Sequence, residues 1–551
     1  MNDSVKHIDP SKLSDAKDLR QTVIMLLQVI EEQGALIKSQ AEELQKLRDE
    51  INRLKGEKGK PDIGKKNKNS KLNINKGDEH QDKSKNNKNG LDKSPVQIDR
   101  TVELTEVSGE LPSDARIKSW EDHIVQDILL RRDTVKYRVG IWYSPSEGKT
   151  YRSVFPLSGY GSFGPQLQGL LHLLHYECNV TQGCLESFCD SLGLSISAGS
   201  IDNILKSKAE EAVLERKEIL HSGIAVSPYL QADSTGSKEK GVTLYTQIFC
   251  SPLFTAYFSN HTKSRQQVLQ SLCGLMNLAD LPIIWNEDTA ALLIQFKVPQ
   301  KYQTALHKFI NIGESSTIGT LKTWIDEHLT DLAAQKNTLT RVLDAFALAH
   351  YFQREAPDAV FALMSDDAPE YKMIALIHAL CWIHDARDYK KLIPSIDINT
   401  NALNAFIDEY WKFYRSLLAY KVADEPTKNI QKSIIEAEFE RIFTKVTTYI
   451  ALDKLIARTY AKKKEMLLAL EYPDIPLHNN AAELAARRKV RKRDVSLHTM
   501  SPKGTRVQDA YLSIIETAKK LKVSAYEYLT DFVSVTRKMI PLHKIIEQYG
   551  A

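Results

Sequence analysis

Between residues 229 and 259 the chain changes period, and this stretch limits the fold more than any other. Tyr229–Ala232 leads into Asp233. Val242–Cys250 (VTLYTQIFC) and Phe254–Ser259 follow, separated by Ser251-Pro252. Short runs rich in β-branched and aromatic residues, bounded by turn formers, read as strands. A helix near Arg265–Leu272 comes next, then a mostly helical stretch over roughly 275–355. A further strand, Ala359–Met364 (AVFALM), then runs into Ser365-Asp366-Asp367. From Tyr371 to Tyr472 the pattern is again helical, with aromatic faces carrying Trp382, Trp411, Phe413, Tyr414, Phe439 and Phe443. The expectation is an α/β fold: a mixed sheet interrupted by large helical insertions.

At 551 residues the chain is long enough for two to four domains. Its net charge is only +4, so any affinity for a polyanion must come from local concentrations of charge. Two exist: the Lys- and Asn-rich stretch Lys55–Lys93, and Arg487, Arg488, Lys489, Arg491, Lys492 and Arg493. Either suits nucleic acid, and either suits a solvated surface. None of the six cysteines forms a C-x-x-C pair. Neither a zinc knuckle nor a disulfide framework is indicated, and reduced thiols are expected. The start of the chain has no signal-peptide pattern, and no apolar run reaches the ~18 residues of a membrane span. The expectation is a cytoplasmic protein.

Residues 16–55 carry a heptad. Val23, Ile30, Ile37, Leu44 and Ile51 form one seam position; Leu19, Leu26, Gln33, Gln40, Leu47 and Leu54 form the other. β-branched residues opposite Leu favour a two-stranded parallel coil, so self-association is expected here. Residues 56–98 read as a basic flexible linker. Residues 99–160 read as a small β module, with Val135–Trp142 and Thr150–Val154 around the turn Ser144–Gly148. Over 161–210 three helices are expected. The first, Gln166–Cys178, opens at Gly164-Pro165; Thr181 caps the second, Gln182–Leu192, which Gly193 ends; Ser197 or Ser200 starts the third, which runs up to Lys208. That order suits a helix-turn-helix-like DNA-binding region, and equally a small bundle.

A carboxylate follows each of two strands, and a third lies on a late predicted helix: Asp233, Asp366 and Glu483. In a ribonuclease-H-like sheet the first and fourth strands are neighbours, so their acids face each other and a later helix can bring in a third. Three carboxylates suit two Mg²⁺ ions, with Mn²⁺ as a substitute. Each acid also has a plain local reading. Asp233 in QADSTGS could open a turn. Asp366 and Asp367 could cap the next helix. Asn480-Ala481-Ala482-Glu483 fits a capping box. His384 and Arg387 lie three apart on one helix face, as phosphate contacts or surface charges.

PLHNNAAELAARRKVRKRDVSLHTMSPKGTRVQDAYLSIIETAKKLKVSAYEYL resembles the C-terminal signature of the insertion sequence 66 family of bacterial transposases. There a DNN-A-A-E-R-like motif carries the glutamate of a DDE triad, followed by a basic segment and an S-L-I-E-T-A-like helix, here Leu512–Ala518. Leu380–Arg387 is similar to the family's C-W-A-H-A-R-R segment, and Gln231–Thr235 to its D-E-T segment. The resemblance implies that Asp233, Asp366 and Glu483 form the metal-binding triad, with Asp367 as the alternative to Asp366. It also implies a catalytic core over 225–372, a helical insertion over 373–472, the glutamate helix within 473–500 and a helical end over 501–551. The expected partners are transposon-end DNA and target DNA, and the expected DNA contacts are Arg487, Arg488, Lys489, Arg491, Lys492, Arg493, His384 and Arg387. The expected activity is metal-dependent cleavage at transposon ends and transfer of the 3′-hydroxyl to target DNA. The sequence departs from the family at His478 (Asp there), Leu484 (Arg there), Asp385 and Asp388, and it lacks the family's paired-Cys module. Those departures identify a divergent subgroup. They leave as the main alternative a decayed transposase, or one recruited as a regulator, that only binds DNA; a coiled-coil scaffold with a helical body is the third reading.

Overall fold

The structure is a computed structural model. It describes scattered positions between 19 and 44, then residues 98–105, 115–128, 130–155, 157, 161–307, 315–352, 360–395 and 397–550. The chain divides into two units, Leu36–Leu130 and the remainder. The described positions between 19 and 44 are helical. Their seam residues Leu19, Val23, Leu26, Ile30, Ile37 and Leu44 are 43–66% exposed. Leu47, Ile51 and Leu54 of the expected coiled coil, and nearly all of the expected linker, lie outside the described residues.

The hairpin expected near residue 145 pairs β1 (Ile141–Ser144) with β2 (Lys149–Arg152), in register Ile141↔Arg152. Both strands are shorter than the alternation suggested. Helices α1 (Pro165–His172), α2 (Gln182–Ser191) and α3 (Ala198–Leu205) follow. Thr181 and Ser197 accept N–H bonds from Cys184 and Ser200, and Gly193 takes φ +72° after α2. A single π-helical turn, Leu173–Glu177, extends α1. It stacks Tyr176 on Tyr511 at 4.8 Å, so this first helix belongs to the main core. The long α4 (Ala209–Val226) then crosses to the sheet. Its Gly223 approaches Phe254 so closely that a Cβ would meet the ring at 2.3 Å.

The central sheet contains β3 (Leu230–Glu239), β4 (Val242–Cys250), β5 (Thr255–Asn260), β8 (Ala362–Ser365) and β9 (Ile377–Leu380), in the order β5-β4-β3-β8-β9. The first three pair antiparallel, while β8 and β9 run parallel to β3. Lys240 and Gly241, both at positive φ, make the two-residue turn between β3 and β4, as a tight hairpin requires. Two expectations are corrected. Asp233 is the fourth residue of a ten-residue strand rather than a strand end or the start of a turn. And β9 lies inside the segment read as wholly helical, because four residues are too few to reveal a period.

Between β5 and β8 come α5 (Arg265–Leu272), β6 (Pro282–Ile284), α6 (Glu287–Gln295), α7 (Gln300–Leu306), β7 (Ser315–Thr317), α8 (Ile318–His328), α9 (Thr330–Ala333) and α10 (Lys336–Phe352). This insert shares the main core. After β9 come α11 (Trp382–Lys390), α12 (Asp397–Val422), α13 (Glu425–Phe443), α14 (Ile450–Tyr460) and α15 (Lys463–Met466). They enclose a second core, in which fully buried Trp382 lies 5.5 Å from both Tyr410 and Phe413. The chain then returns through α16 (Asn480–Ser496), α17 (Pro502–Lys520), α18 (Ala525–Phe532) and α19 (Leu542–Glu547).

Helix α17 covers the free edge of β5. Asp509, Ser513 and Thr517 accept the N–H groups of Ser259, Tyr257 and Thr255 at 2.8, 3.0 and 3.2 Å. Four residues of helix advance ~6 Å and two of strand ~6.8 Å, so one helix face matches alternate strand donors. An edge that would otherwise invite pairing is thereby closed.

Candidate active site

The parallel pairing of β3 with β8 is short: Leu230↔Leu363 and Gln231↔Met364. Two residues further along both strands are Asp233 and Asp366. They stand at the same level, on neighbouring strands, where β3 and β8 part. Gln231 and Asp233 share a face of β3, because side chains alternate. The Gln231 carboxamide accepts the N–H groups of Ala481 and Ala482 at 3.1 and 3.4 Å. From α16's side, fully buried Asn479 donates its Nδ2 to the Ala232 carbonyl at 2.7 Å. The first turn of α16 is therefore fixed to the strand that carries Asp233.

This attachment replaces the expected capping box. Asn479, not Asn480, is the N-cap, and it makes no side-chain cap bond. Glu483 is the fourth helical residue, and its carboxylate turns toward α11. There Arg387 donates to Oε2 at 2.9 Å, and His384 Nδ1 stands 3.7 Å from Oε1. Glu483 is 13% exposed, and Oε1 is buried with no hydrogen-bond partner. His384 and Arg387 also touch each other, Nε2 to Nη1, at 3.1 Å.

Asp233 registers the proximity of the other acids. Burial raises its pKa to about 6, and the charges of Asp366 and Glu483 push the same way. The Ser234 N–H at 2.7 Å and the Lys263 ammonium pull it down less strongly. Asp366 accepts the Ala368 N–H at 3.2 Å. Asp367 faces elsewhere, pairing with Lys462 and, at 3.3 Å, with Lys372. Burial raises its pKa, but the two lysines outweigh that and hold the carboxyl below its usual value. Asp366 therefore lies near enough to Asp233 for its charge to act there, while Asp367 is taken up by lysines.

The basic run of α16 does not form one face. Lys489, 2% exposed, makes an ion pair with Asp509 at 2.6 Å and bonds to Gln508. Lys492, 1% exposed, donates to the His175 carbonyl at 2.6 Å; burial lowers its pKa to about 8, helped by Lys489. Arg488 pairs with Glu177 and Glu516, and Arg493 donates to the Gly236 carbonyl at 2.6 Å. Only Arg487 and Arg491 of the six are exposed. The expectation of a six-residue DNA face is corrected accordingly: α16 packs on β3 and β4, and four of its cations tie it to β3, to the π-helical turn and to α17. Arg487 and Arg491 stand one and two turns beyond Glu483 on the outward side.

Gln231, Asn479, Cys381 and Tyr371 were not expected at the site. Cys381 follows β9 as the N-cap of α11 and accepts the Asn479 N–H at 3.3 Å. Tyr371 is buried close to Asp233 and Asp366, and donates to Gln247 at 3.0 Å. Gln231, Asn479 and Cys381 lie within the matching motifs, and that was the available signal. Tyr371 had none. Of the departures, His478 is half-buried beside Asn479, and Leu484 is 57% exposed.

Comparison with known proteins identifies a family. Residues 345–507, which hold Asp366 and Glu483 but not Asp233, match the Transposase IS66 family. An uncharacterized protein, y4jO, of Sinorhizobium fredii (strain NBRC 101917 / NGR234) is 30% identical over 331 residues, 60% of this chain and 99% of that protein. The chain belongs to the IS66 family of transposases.

Proposed function

We propose that the chain is a DDE transposase with a ribonuclease-H-like core, cutting DNA strands at transposon ends and joining the released 3′-hydroxyl to target DNA. The observation that carries this reading is the β3–β8 register, which sets Asp233 beside Asp366 under the helix of Glu483. The strand order, three antiparallel and two parallel with acids on the first and fourth, supports the fold assignment. Asp233, Asp366 and Glu483 would hold Mg²⁺, with Mn²⁺ as a substitute. The donor set fits: three crowded carboxylates, one with a buried oxygen lacking a hydrogen-bond partner, are hard oxygen ligands. When bound, two such ions lower the pKa of an attacking water or 3′-hydroxyl and stabilise the leaving oxygen.

The protein's own groups then position the DNA. Arg487 and Arg491 contact phosphates leading away from the acids, fixing register without reading sequence. Arg387 and His384 flank Glu483 and serve the scissile phosphate. The hairpin and the three helices of 161–210 bind the transposon ends, and the exposed heptad face pairs two copies. Among the described residues no helix is long and apolar enough to cross a membrane, which suits work on nucleoid DNA in the cytoplasm. The test uses the full chain, Mg²⁺ and a duplex bearing the ends of its element. Asp366→Ala is expected to lower strand cleavage on the order of 10³-fold, and Asp367→Ala to leave it within about threefold. Equal losses, or cleavage that survives Asp366→Ala, would overturn the assignment.

A further inference from the structure

Glu483 lies between two sets of ligands. On one side are the aspartates. On the other, Cys381 is the N-cap of α11 and His384 follows three residues later in its first turn, a spacing that turns both side chains to one side. The Cys381 sulfur, a ring nitrogen of His384 and a carboxylate oxygen of Glu483 all lie within 4.8 Å of one another. Cys381 is buried. His384 Nδ1 and Glu483 Oε1 face each other at 3.7 Å, both shielded from solvent and neither with a hydrogen-bond partner. Buried polar atoms are nearly always satisfied, so two that face one another call for an explanation. We infer that Cys381, His384 and Glu483 form a site for a thiophilic divalent cation of the zinc class, distinct from the aspartate set but sharing Glu483.

The donor chemistry selects the ion. A thiolate, an imidazole and a carboxylate are zinc ligands at about 2.0–2.3 Å, and three of them leave a fourth position open. Mg²⁺ avoids sulfur. Closing the present spacing to those bond lengths takes side-chain movements of roughly 1 Å. On binding, the Cys381 thiol gives its proton to solvent. The Arg387 guanidinium now donates to His384 Nε2 and to Glu483 Oε2. With Nδ1 on the ion, the ring proton moves to Nε2 and Arg387, 41% exposed, withdraws. Metal and Arg387 therefore compete for Glu483. If the function proposed above holds, an ion here keeps Glu483 on the α11 side, away from Asp233 and Asp366, and Zn²⁺ antagonises Mg²⁺-dependent cleavage.

Binding can be read without DNA, so its outcome is independent of strand cleavage. Cys178 and Cys184, the exposed thiols, are first replaced by serine. The full-length chain is then titrated with Co²⁺, following thiolate-to-cobalt charge-transfer absorption, and with Zn²⁺ by calorimetry. The site predicts a charge-transfer band, lost in Cys381→Ser. It also predicts at least about tenfold weaker binding in His384→Ala and Glu483→Gln, unchanged binding in Asp233→Ala and tighter binding in Arg387→Ala. The proposal is overturned if no band forms, if His384→Ala and Glu483→Gln bind as tightly as the parent, or if Asp233→Ala abolishes binding.

Discussion

Asp233 shows what burying a carboxylate beside two other acids costs. Its pKa of about 6 in the fold exceeds the ~3.9 of an unfolded aspartate, so the folded state holds the proton more tightly. That contribution is present at low pH and is lost as pH rises from about 4 to 6, an effect of at most ~3 kcal/mol. Asp233→Asn is thus predicted to raise the thermal midpoint of the metal-free protein at pH 7.5, and by less at pH 4.5. An unchanged or lower midpoint at pH 7.5 would show that the buried Asp233 carboxylate does not strain the fold. The sequence picked out Asp233 but not its setting. The run DSTGS has turn-like composition, whereas the structure extends it as strand, since every residue from Gln231 to Glu239 pairs with β4. Partners supplied from residues 242–250 override a local preference for turning.

Helix α16 was legible from its motif, but its orientation was not. Six cations within seven residues suggested one solvated face, because lysine is seldom fully buried. Yet Ala482, Ala485, Ala486, Lys489 and Lys492 recur at helical spacing and form the buried face. What buries Lys489 is Asp509, on a different helix, which no local pattern reveals. Two predictions separate these roles. Lys489→Ala leaves Asp509 as an unpaired buried charge and is expected to destabilise the fold by about 3–5 kcal/mol, measured by denaturant unfolding. Arg487→Ala with Arg491→Ala is expected to change stability by less than ~1 kcal/mol. The same pair of changes lowers the salt dependence of DNA binding, d log K/d log [salt], by about 1.8 units. An unchanged slope would remove these arginines from the DNA surface. The strand β9 was missed for another reason. Four residues pair only with β8, so nothing but the completed sheet defines them.

At the scale of the whole molecule, two large cores and a small cluster under α16 hold the central sheet among the described residues. The first joins α1, α4, the insert helices and α17; the second closes around Trp382. The alternation of strands with helical stretches announced an α/β fold. The division of helices between two cores was not legible, because aromatic faces do not name their partners. The fold also buries histidines. Burial lowers His172 and His378 to about 4, and burial with Lys492 lowers His175 to about 3. Unfolded histidine binds its proton near 6.5, so the unfolded chain takes up more protons below that pH. Stability is complete above about 6.5 and is lost as pH falls toward 4, by up to ~3 kcal/mol for each group. The thermal midpoint is predicted to drop steeply between pH 6.5 and 5, and a flat profile there would contradict this. The exposed heptad seam gives a prediction of assembly. The parent chain is predicted to be a dimer by light scattering, and Ile30→Lys with Ile37→Lys a monomer; a monomeric parent would contradict this.

The central claim is that Asp233, Asp366 and Glu483 act together on a DNA strand. Its most direct test is the release of 3′-hydroxyl ends from an element-end duplex in Mg²⁺, comparing the parent chain, Asp233→Ala and Glu483→Gln at matched DNA occupancy. The account predicts cleavage by the parent and a loss on the order of 10³-fold in each variant with DNA binding retained. Cleavage that persists in either variant, or a parent chain that binds the ends without cutting them, would contradict it.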